Sequence, residues 1–489
     1  MRLSDLTGSN GGAAKVEISG LSADSRMIKP GFLFAALAGA NQKGADFIDD
    51  AISHGAVAIL AQPGVKFDHE RAFVIADQNP RRRLALMAAR FYELQPKKIV
   101  AVTGTNGKSS VVDFTRQLWK ALGQKSASLG TLGIKGNNVE TQPSLTTPDP
   151  VEIHAALRDL SEQKIEYLAM EASSHGLEQY RLDGVQLSAA AFTNLSRDHL
   201  DYHGSIEDYF HAKLRLFGEL LPTGSTAVIN RQTDYYDRIA DLCWVRGIKI
   251  LSVGSRDGEG ADLSWRVKEH RADHQIIDVL YGGEHWTVDL PLIGDFQVSN
   301  ALVAAALVIA AGGEPGPTIE ALAKLQSVRG RMSLAGQHHN GATIYVDYAH
   351  TPDALETVLY ALRPHAKGKL SLVFGCGGDR DEGKRPMMGE IALKLADRVI
   401  VTDDNPRGED AGAIRQAILK ACPKAEEVPN RQDAIRRAIG NLQAGDILVV
   451  AGKGHETGQI IGSETLPFDD AEEIVTALAA TQTEEGSDD

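Results

Sequence analysis

Residues 99–114, IVAVTGTNGKSSVVDF, read as a buried apolar strand, a glycine-containing turn and the start of a helix. Such a junction aims backbone N–H groups and the positive end of the helix at a phosphate, with Lys108 placed to reach terminal phosphates and the Ser109 hydroxyl available to Mg²⁺. The first glycine of the general P-loop pattern falls on Val102, so GTNGKS is a tighter variant. The plain alternative is a strand-to-helix turn with an N-terminal cap, but strand, turn, Lys-Ser and helix occur together. A phosphate loop alone does not choose among a kinase, a GTPase-like switch, a motor and a ligase.

Three further stretches carry groups suited to phosphates. Glu171 ends the run YLAMEAS, where a parallel sheet presents side chains to its ligand crevice, and its carboxylate could ligate Mg²⁺ or simply cap a helix. The following SSHGLEQYRLDG offers Ser173, His175, Gln179 and Arg181 to a sugar, phosphate or carboxylate. Farther on, Ser205 and Asp208 resemble a capping box, and Ile206, Tyr209, Phe210 and Phe217 form an apolar stripe that also includes Lys213. A lysine on an inward stripe either packs its stem while the ammonium snorkels out, or faces anionic phosphates, or is modified at its amine. His199 is either a metal ligand or a structural histidine.

The elements that position these groups form three blocks. At roughly 150 residues per domain, 489 residues suggest about three domains. The first, residues 1–95, alternates strand-like GFLFAAL, AVAILA and AFVIA with helical stretches such as Ala45 to His54, and Gln95-Pro96 is a seam. The second, 96–329, has strands at 99–103, YLAMEAS, SAAAFTNL and STAVIN with helices between them, which implies a mainly parallel sheet. Alternation around Gly282-Gly283 predicts an antiparallel hairpin; helices are expected over Gln297 to Ala311 and Pro317 to Gln326. The third, 330–489, repeats the rhythm in TIYVDYA, KLSLVFG, DRVIVTD and DILVVAG and reads as a doubly wound α/β domain. The tail TEEGSDD reads as disordered.

The net charge of −14 argues against a broad nucleic-acid face. The longest apolar run, Ala301 to Ala311, is well short of the roughly 20 residues that span a bilayer, and the first residues lack an apolar signal core, so no membrane insertion is expected. Cys243, Cys376 and Cys422 are too scattered for a disulfide framework or a CxxC-type metal site. A cytoplasmic location is the simplest expectation.

GTNGKS, MEASSHGL, NLSRDHLDYHGSIEDYFHAKLRLF, GDFQVSNALVAA, VRGRM, YVDYAHTPDAL, FGCGGDRDEGKRP, TDDNPR and AGKGHE occur in one order across nearly the whole chain. Together they closely resemble the Mur ligase family, and among its members those that add diaminopimelate. The resemblance implies a three-domain α/β architecture and a cytoplasmic, ATP-dependent amide ligase of peptidoglycan precursor synthesis. Its substrates would be UDP-MurNAc-L-Ala-D-Glu, meso-diaminopimelate and ATP.

By that likeness Gly104, Thr105, Asn106, Gly107, Lys108, Ser109 and Ser110 serve ATP, together with Asn300, Arg331 and Asp347. Ser109, Glu171 and His199 serve as Mg²⁺ ligands, and Lys213 matches the lysine that the family carbamylates with CO₂, giving an anionic oxygen ligand. Ser25, the turn Asn41-Gln42-Lys43, Thr146, Thr147, Ser173, Gln179 and Arg181 match positions that hold the UDP-sugar dipeptide. Arg380, Asp404, Asn405, Pro406, Arg407, Gly452 and Glu456 match those that hold diaminopimelate, the planar Arg407 fork suiting a second carboxylate that lysine lacks. Gln297 stands where relatives often have Asn, and Leu145 where some have a polar residue. The rivals are a lysine-adding relative, folylpolyglutamate synthase and, from another class, a P-loop regulatory ATPase.

Overall fold

The computed structural model describes residues 1–8, 15–39, 43–65, 72–136, 139–141, 145–198, 200–258, 260–271 and 273–485, with 200, 201 and 481–485 as backbone only. Four short parallel strands, Gly20–Ser22, Phe32–Ala35, Ala58–Ala61 and Phe73–Ala76, lie side by side in chain order. The helix expected from Ala45 to His54 is a 3-10 turn, Gly44–Phe47, running into an α-helix, Ile48–Ser53. A longer helix, Pro80–Tyr92, starts with Pro at its first turn and with the Asn79 carboxamide accepting from Arg82 N–H. Gln95, at the expected seam, clamps both Gly184 and Gln186 of the next block by its carboxamide. Asp183, almost fully buried, takes Arg82 from one side and Arg215 from the other, a second tie across that seam.

The central sheet has ten strands, in the order Glu284–Leu290, Gln275–Tyr281, Leu263–His270, Lys249–Ser255, Thr226–Asn230, Leu187–Phe192, Lys98–Thr103, Tyr167–Glu171, Ser126–Gly130 and Gly133–Gly136. Lys98–Thr103 runs parallel to both neighbours, and Ile99, Val100, Ala101 and Val102 are fully buried. This explains the unbroken apolar run: helices cover both faces. Val100 and Val102 pack with Phe114, Leu118 and Leu302; Ile99 and Ala101 turn to Ile153, Leu157 and Phe210. The expected Gly282-Gly283 hairpin forms, and Leu263–His270 joins it antiparallel, so the appended ribbon has three strands. The helix expected from Gln297 spans Asp295–Ala310 and is buried on nearly every side. The next helix begins at Pro315 rather than Pro317, where proline suits the first turn, and tightens to 3-10 over Ala321–Lys324.

The third sheet runs Ser333–Gln337, Thr343–Asp347, Ile447–Ala451, Leu370–Phe374, Arg398–Val401, Glu426–Glu427, parallel except for its first strand. Asp347 is in register with Ala451, so the loops beginning at Tyr348 and Gly452 leave neighbouring strands at one edge. The hairpin Gly458–Ile461 with Glu464–Pro467 was not anticipated. The tail expectation is corrected in part: Thr483–Glu485 continue the helix Asp470–Glu485, whose composition favours helix, while 486–489 lie outside the described residues. Among the described residues no helix is long and apolar enough to cross a membrane, and the three cysteines are free and buried.

Candidate active site

The phosphate loop sits at the carboxyl end of Lys98–Thr103, and the helix Lys108–Ala121 starts at its far end. Gly107 has φ +85°, and a Cβ there would lie 2.5 Å from Asn300 Oδ1, so this position needs glycine on two counts. Lys108 is turned inward, donating to the Gly104 and Thr105 carbonyls at 2.9 and 2.8 Å. Burial pushes its pKa down, with Glu171 and Asp198 opposing.

A cavity of about 520 Å³ opens on this loop. It gathers Thr105, Asn106, Gly107, Lys108, Ser109, Ser110, Thr146, Glu171, Asn300, Arg331 and Asp347, eleven of the residues singled out from sequence. Arg331 and Asp347 reach it from the third block. The Asp347 carboxylate, raised in pKa by burial, accepts Met332 N–H at 2.6 Å and Ala349 N–H at 2.8 Å. The Arg331 guanidinium lies 4.2 Å from the Tyr348 ring centroid. Gln297 does reach its neighbours: its amide donates to the Arg331 carbonyl at 3.1 Å and accepts from Asn300 at 3.0 Å, joining the central helix to the third block. A second cavity of about 340 Å³ shares Asn194, Phe296 and Asn300 with the first.

Glu171 is buried, and Thr131 satisfies both its oxygens, through N–H at 2.8 Å and Oγ1 at 3.2 Å. A Cβ on Gly130 would fall 2.2 Å from its Oε1, so the strand end is shaped around this carboxylate. Ser109 Oγ makes no hydrogen bond within the described chain. A carboxylate and a hydroxyl lining the same cavity suit a hard cation such as Mg²⁺. Among the described residues no group of three or more His, Cys, Asp or Glu side chains could hold a metal; His199 lies outside them.

Lys213 is 1% exposed, with its ammonium 2.8 Å from the Gly104 carbonyl and 4.2 Å from the Tyr209 ring centroid. The snorkelling alternative is therefore excluded. Burial first, and Lys108 second, hold its pKa well below the usual lysine range. The stripe itself needs one correction: Tyr209, Phe210 and Phe217 are buried, but Ile206, the first residue of the helix, is 37% exposed. The cap holds in one direction only, since Ser205 Oγ accepts Asp208 N–H while the Asp208 carboxylate accepts from that same hydroxyl.

Beside this cavity, Ser173 caps the short helix Ser174–Glu178, and Arg181 donates to the Thr147 carbonyl and the Gln179 amide, its pKa lowered by burial. Thr147 is buried, its hydroxyl donating to the Glu171 carbonyl and accepting Ser173 N–H, so it braces the strand end rather than lining the cavity. Ser25 is buried in the first block and Lys43 exposed there. Asn41 and Gln42 lie outside the described residues.

A separate cluster forms on the third block. Arg407 has φ +52°; its Nη1 donates to the Gly378 carbonyl at 2.9 Å, while Nε and Nη2 have no partner among the described residues. Arg380 is exposed on the facing loop, which Asp379 and Glu409 brace by accepting from Gly408 N–H and from Arg385. Glu456 and Asn405 hydrogen-bond at 2.8 Å, and a Cβ on Gly452 would lie 2.5 Å from Asp404 Oδ2. Sequence reasoning passed over Asp198, Thr131, Tyr348 and His350, all lining the larger cavity. Asp198 had a signal, an acidic residue directly before His199; Thr131 had none.

Three family models match the chain: Mur ligase family, catalytic domain, over 17–92; Mur ligase middle domain, over 102–308; and Mur ligase, glutamate ligase domain, over 330–454. A protein of Bradyrhizobium diazoefficiens named UDP-N-acetylmuramoyl-L-alanyl-D-glutamate–2,6-diaminopimelate ligase is 50% identical over 98% of this chain and 99% of its own length. One of the same name from Caulobacter vibrioides is 48% identical over 98% of both chains. A solved structure bearing that name superposes with a TM-score of 0.75 at 33% identity, covering 99% of each chain. Folylpolyglutamate synthase of Mycobacterium tuberculosis, 18% identical with a TM-score of 0.61, shares the fold alone. With its three blocks each matched in order and full-length relatives at half identity, the chain belongs to the Mur ligase family.

Proposed function

We propose that the chain is an ATP-dependent ligase that joins meso-diaminopimelate to the D-glutamate side-chain carboxylate of UDP-MurNAc-L-Ala-D-Glu, in the cytoplasm. The single observation that carries the choice of amine is Arg407: its backbone is held in the left-handed region and half of its fork has no partner in the described chain. A planar cation with unused donors suits a carboxylate, and diaminopimelate has one more than lysine. The names of the full-length relatives support the same reading.

A carboxylate is a poor acyl donor. In the reaction one glutamate oxygen bonds to the γ-phosphorus of ATP, the bond to the bridging β,γ-oxygen breaks, and ADP leaves. The amine nitrogen then attacks the acyl carbon, loses a proton, and the tetrahedral adduct expels phosphate. Lys108 and the loop N–H groups would hold the phosphates in line, and Arg331 and Asp347 the rest of the nucleotide. Mg²⁺, held by Ser109, Glu171, His199 and a carbamate on Lys213, would supply charge neutralisation on the transferring phosphoryl group. Ser25, Asn41, Gln42, Lys43, Thr146, Ser173, Gln179 and Arg181 would orient the UDP-sugar dipeptide. The domains then divide the work as 1–95 for the sugar nucleotide, 96–329 for phosphoryl chemistry and 330–489 for the amine.

The test is phosphate release across candidate amino acids with the muramoyl dipeptide nucleotide present. Release that requires both the dipeptide and diaminopimelate supports the reading. Equal turnover of lysine overturns the choice of amine, and hydrolysis independent of any amino acid favours a regulatory ATPase.

A further inference from the structure

Lys453 has no exposed surface, yet it carries an ammonium group. Its Nζ lies 3.0 Å from Asn405 Oδ1 and 3.3 Å from Glu456 Oε2. Burying a charge is costly unless it is paired and hydrogen-bonded, and the two groups that satisfy this one both belong to the cluster around Arg407. We infer that Lys453 is a positioning residue for the incoming amine, acting through Asn405 and Glu456; this rests on the reading of that cluster as the diaminopimelate pocket.

The argument turns on which donors and acceptors are compatible. Lysine only donates, so the Asn405 amide must present its oxygen to Nζ, and Ile460 N–H donates to the same oxygen at 2.9 Å. The amide nitrogen is thereby fixed toward Glu456 Oε2, to which it donates at 2.8 Å. One oxygen of Glu456 is thus held by two donors, while Oε1 has no partner among the described residues. A carboxylate pinned at one oxygen and open at the other is prepared to accept an ammonium group or amine. Gln459 and Arg407 tie the strand Gly458–Ile461 to the same loop by donating to the carbonyls of Asp404 and Ile460, so the loop path does not depend on Lys453.

The experiment compares Lys453→Met, Glu456→Gln and the double variant in kcat and KM for diaminopimelate and for ATP, with a thermal midpoint for each. Lys453→Met is expected to raise KM for diaminopimelate roughly ten- to a hundredfold, the usual range for a buried partner lost, with KM for ATP nearly unchanged. Because both side chains act through one carboxylate, the double variant falls well short of the product of the singles. Asn405→Asp keeps an oxygen for Lys453 but sets a second carboxylate where the donor to Glu456 was, and is expected to raise the same KM. The inference is overturned by an unchanged KM for diaminopimelate in Lys453→Met or Asn405→Asp, by equal loss for both substrates, or by multiplicative singles. A wild-type chain that does not use diaminopimelate overturns the functional reading and this one with it. Normal wild-type turnover with an unaffected Lys453→Met overturns this one alone.

Discussion

The ammonium of Lys213 and the carbonyl oxygen of Gly104 lie 2.8 Å apart, 109 residues apart in sequence, so the helix Ile206–Arg215 braces the phosphate loop from behind. Carbamylation needs a neutral amine, because only the unprotonated nitrogen is nucleophilic toward CO₂. Burial first, and Lys108 second, lower the pKa of Lys213, which favours that form. We expect Lys213→Ala to lose about a hundredfold or more in kcat, the scale of removing one preorganised electrostatic contact in a transition state. A short carboxylate in solution should restore part of it. Full activity without rescue, measured by phosphate release, would refute the role.

Gly107 gives a second prediction, on nucleotide binding. Alanine there combines a left-handed backbone, costing roughly 1–2 kcal/mol, with a Cβ pressed on Asn300 Oδ1. We expect KM for ATP to rise about tenfold or more in Gly107→Ala, from strain and contact combined. Gly123→Ala is the control: φ is +79° and among the described residues nothing beyond its chain neighbours lies within 4 Å of the added Cβ, so stability falls while KM for ATP stays. Equal KM in both variants, by steady-state kinetics, would refute the assignment.

Arg407→Ala removes the whole fork, its open half and the bond to the Gly378 carbonyl alike. The expected result is a KM for diaminopimelate raised roughly ten- to a hundredfold, the range for a charged hydrogen bond, with ATP binding unaltered by calorimetry. A proportional loss of ATP affinity would make Arg407 a structural residue of its loop.

The loop and Glu171 are legible because each sits where a strand ends, and Arg407 because it lies on the loop that follows the strand Arg398–Val401; a parallel sheet delivers its strand ends to one crevice. Lys213 was legible as an anomaly but not in its direction: helical spacing places a side chain on a face and says nothing of the carbonyl across the gap. Thr131 carries no signal in the sequence, and the bracing role of Thr147 is hidden there for a related reason. Both roles are set by distances to Glu171 that arise only in the fold: Thr131 follows the strand Ser126–Gly130, which pairs with Tyr167–Glu171, and Thr147 meets the end of that strand from the loop before the helix Pro150–Glu162. Lys453 was invisible, because a lysine between two glycines in AGKGHE has no periodicity to read.

His455 yields the pH prediction. Burial first, then Arg331 and Arg329, push its pKa down to about 4, and its Nδ1 is buried without a hydrogen-bond partner among the described residues. The folded chain therefore keeps His455 neutral while the unfolded chain takes up a proton below about pH 6.5. Stability from this group is full above 6.5, falls as the pH drops toward 4, and changes no further below that, about 3 kcal/mol over the window at most. His455→Gln should flatten the acid decline of the third block by that amount, although other buried histidines leave some decline in both chains. In a proton NMR titration of the histidine ring signals, the resonance missing from His455→Gln should titrate near pH 4 in the parent chain. A midpoint at or above 6 would show that the imidazole meets solvent, and the stability slopes of the two chains would then coincide.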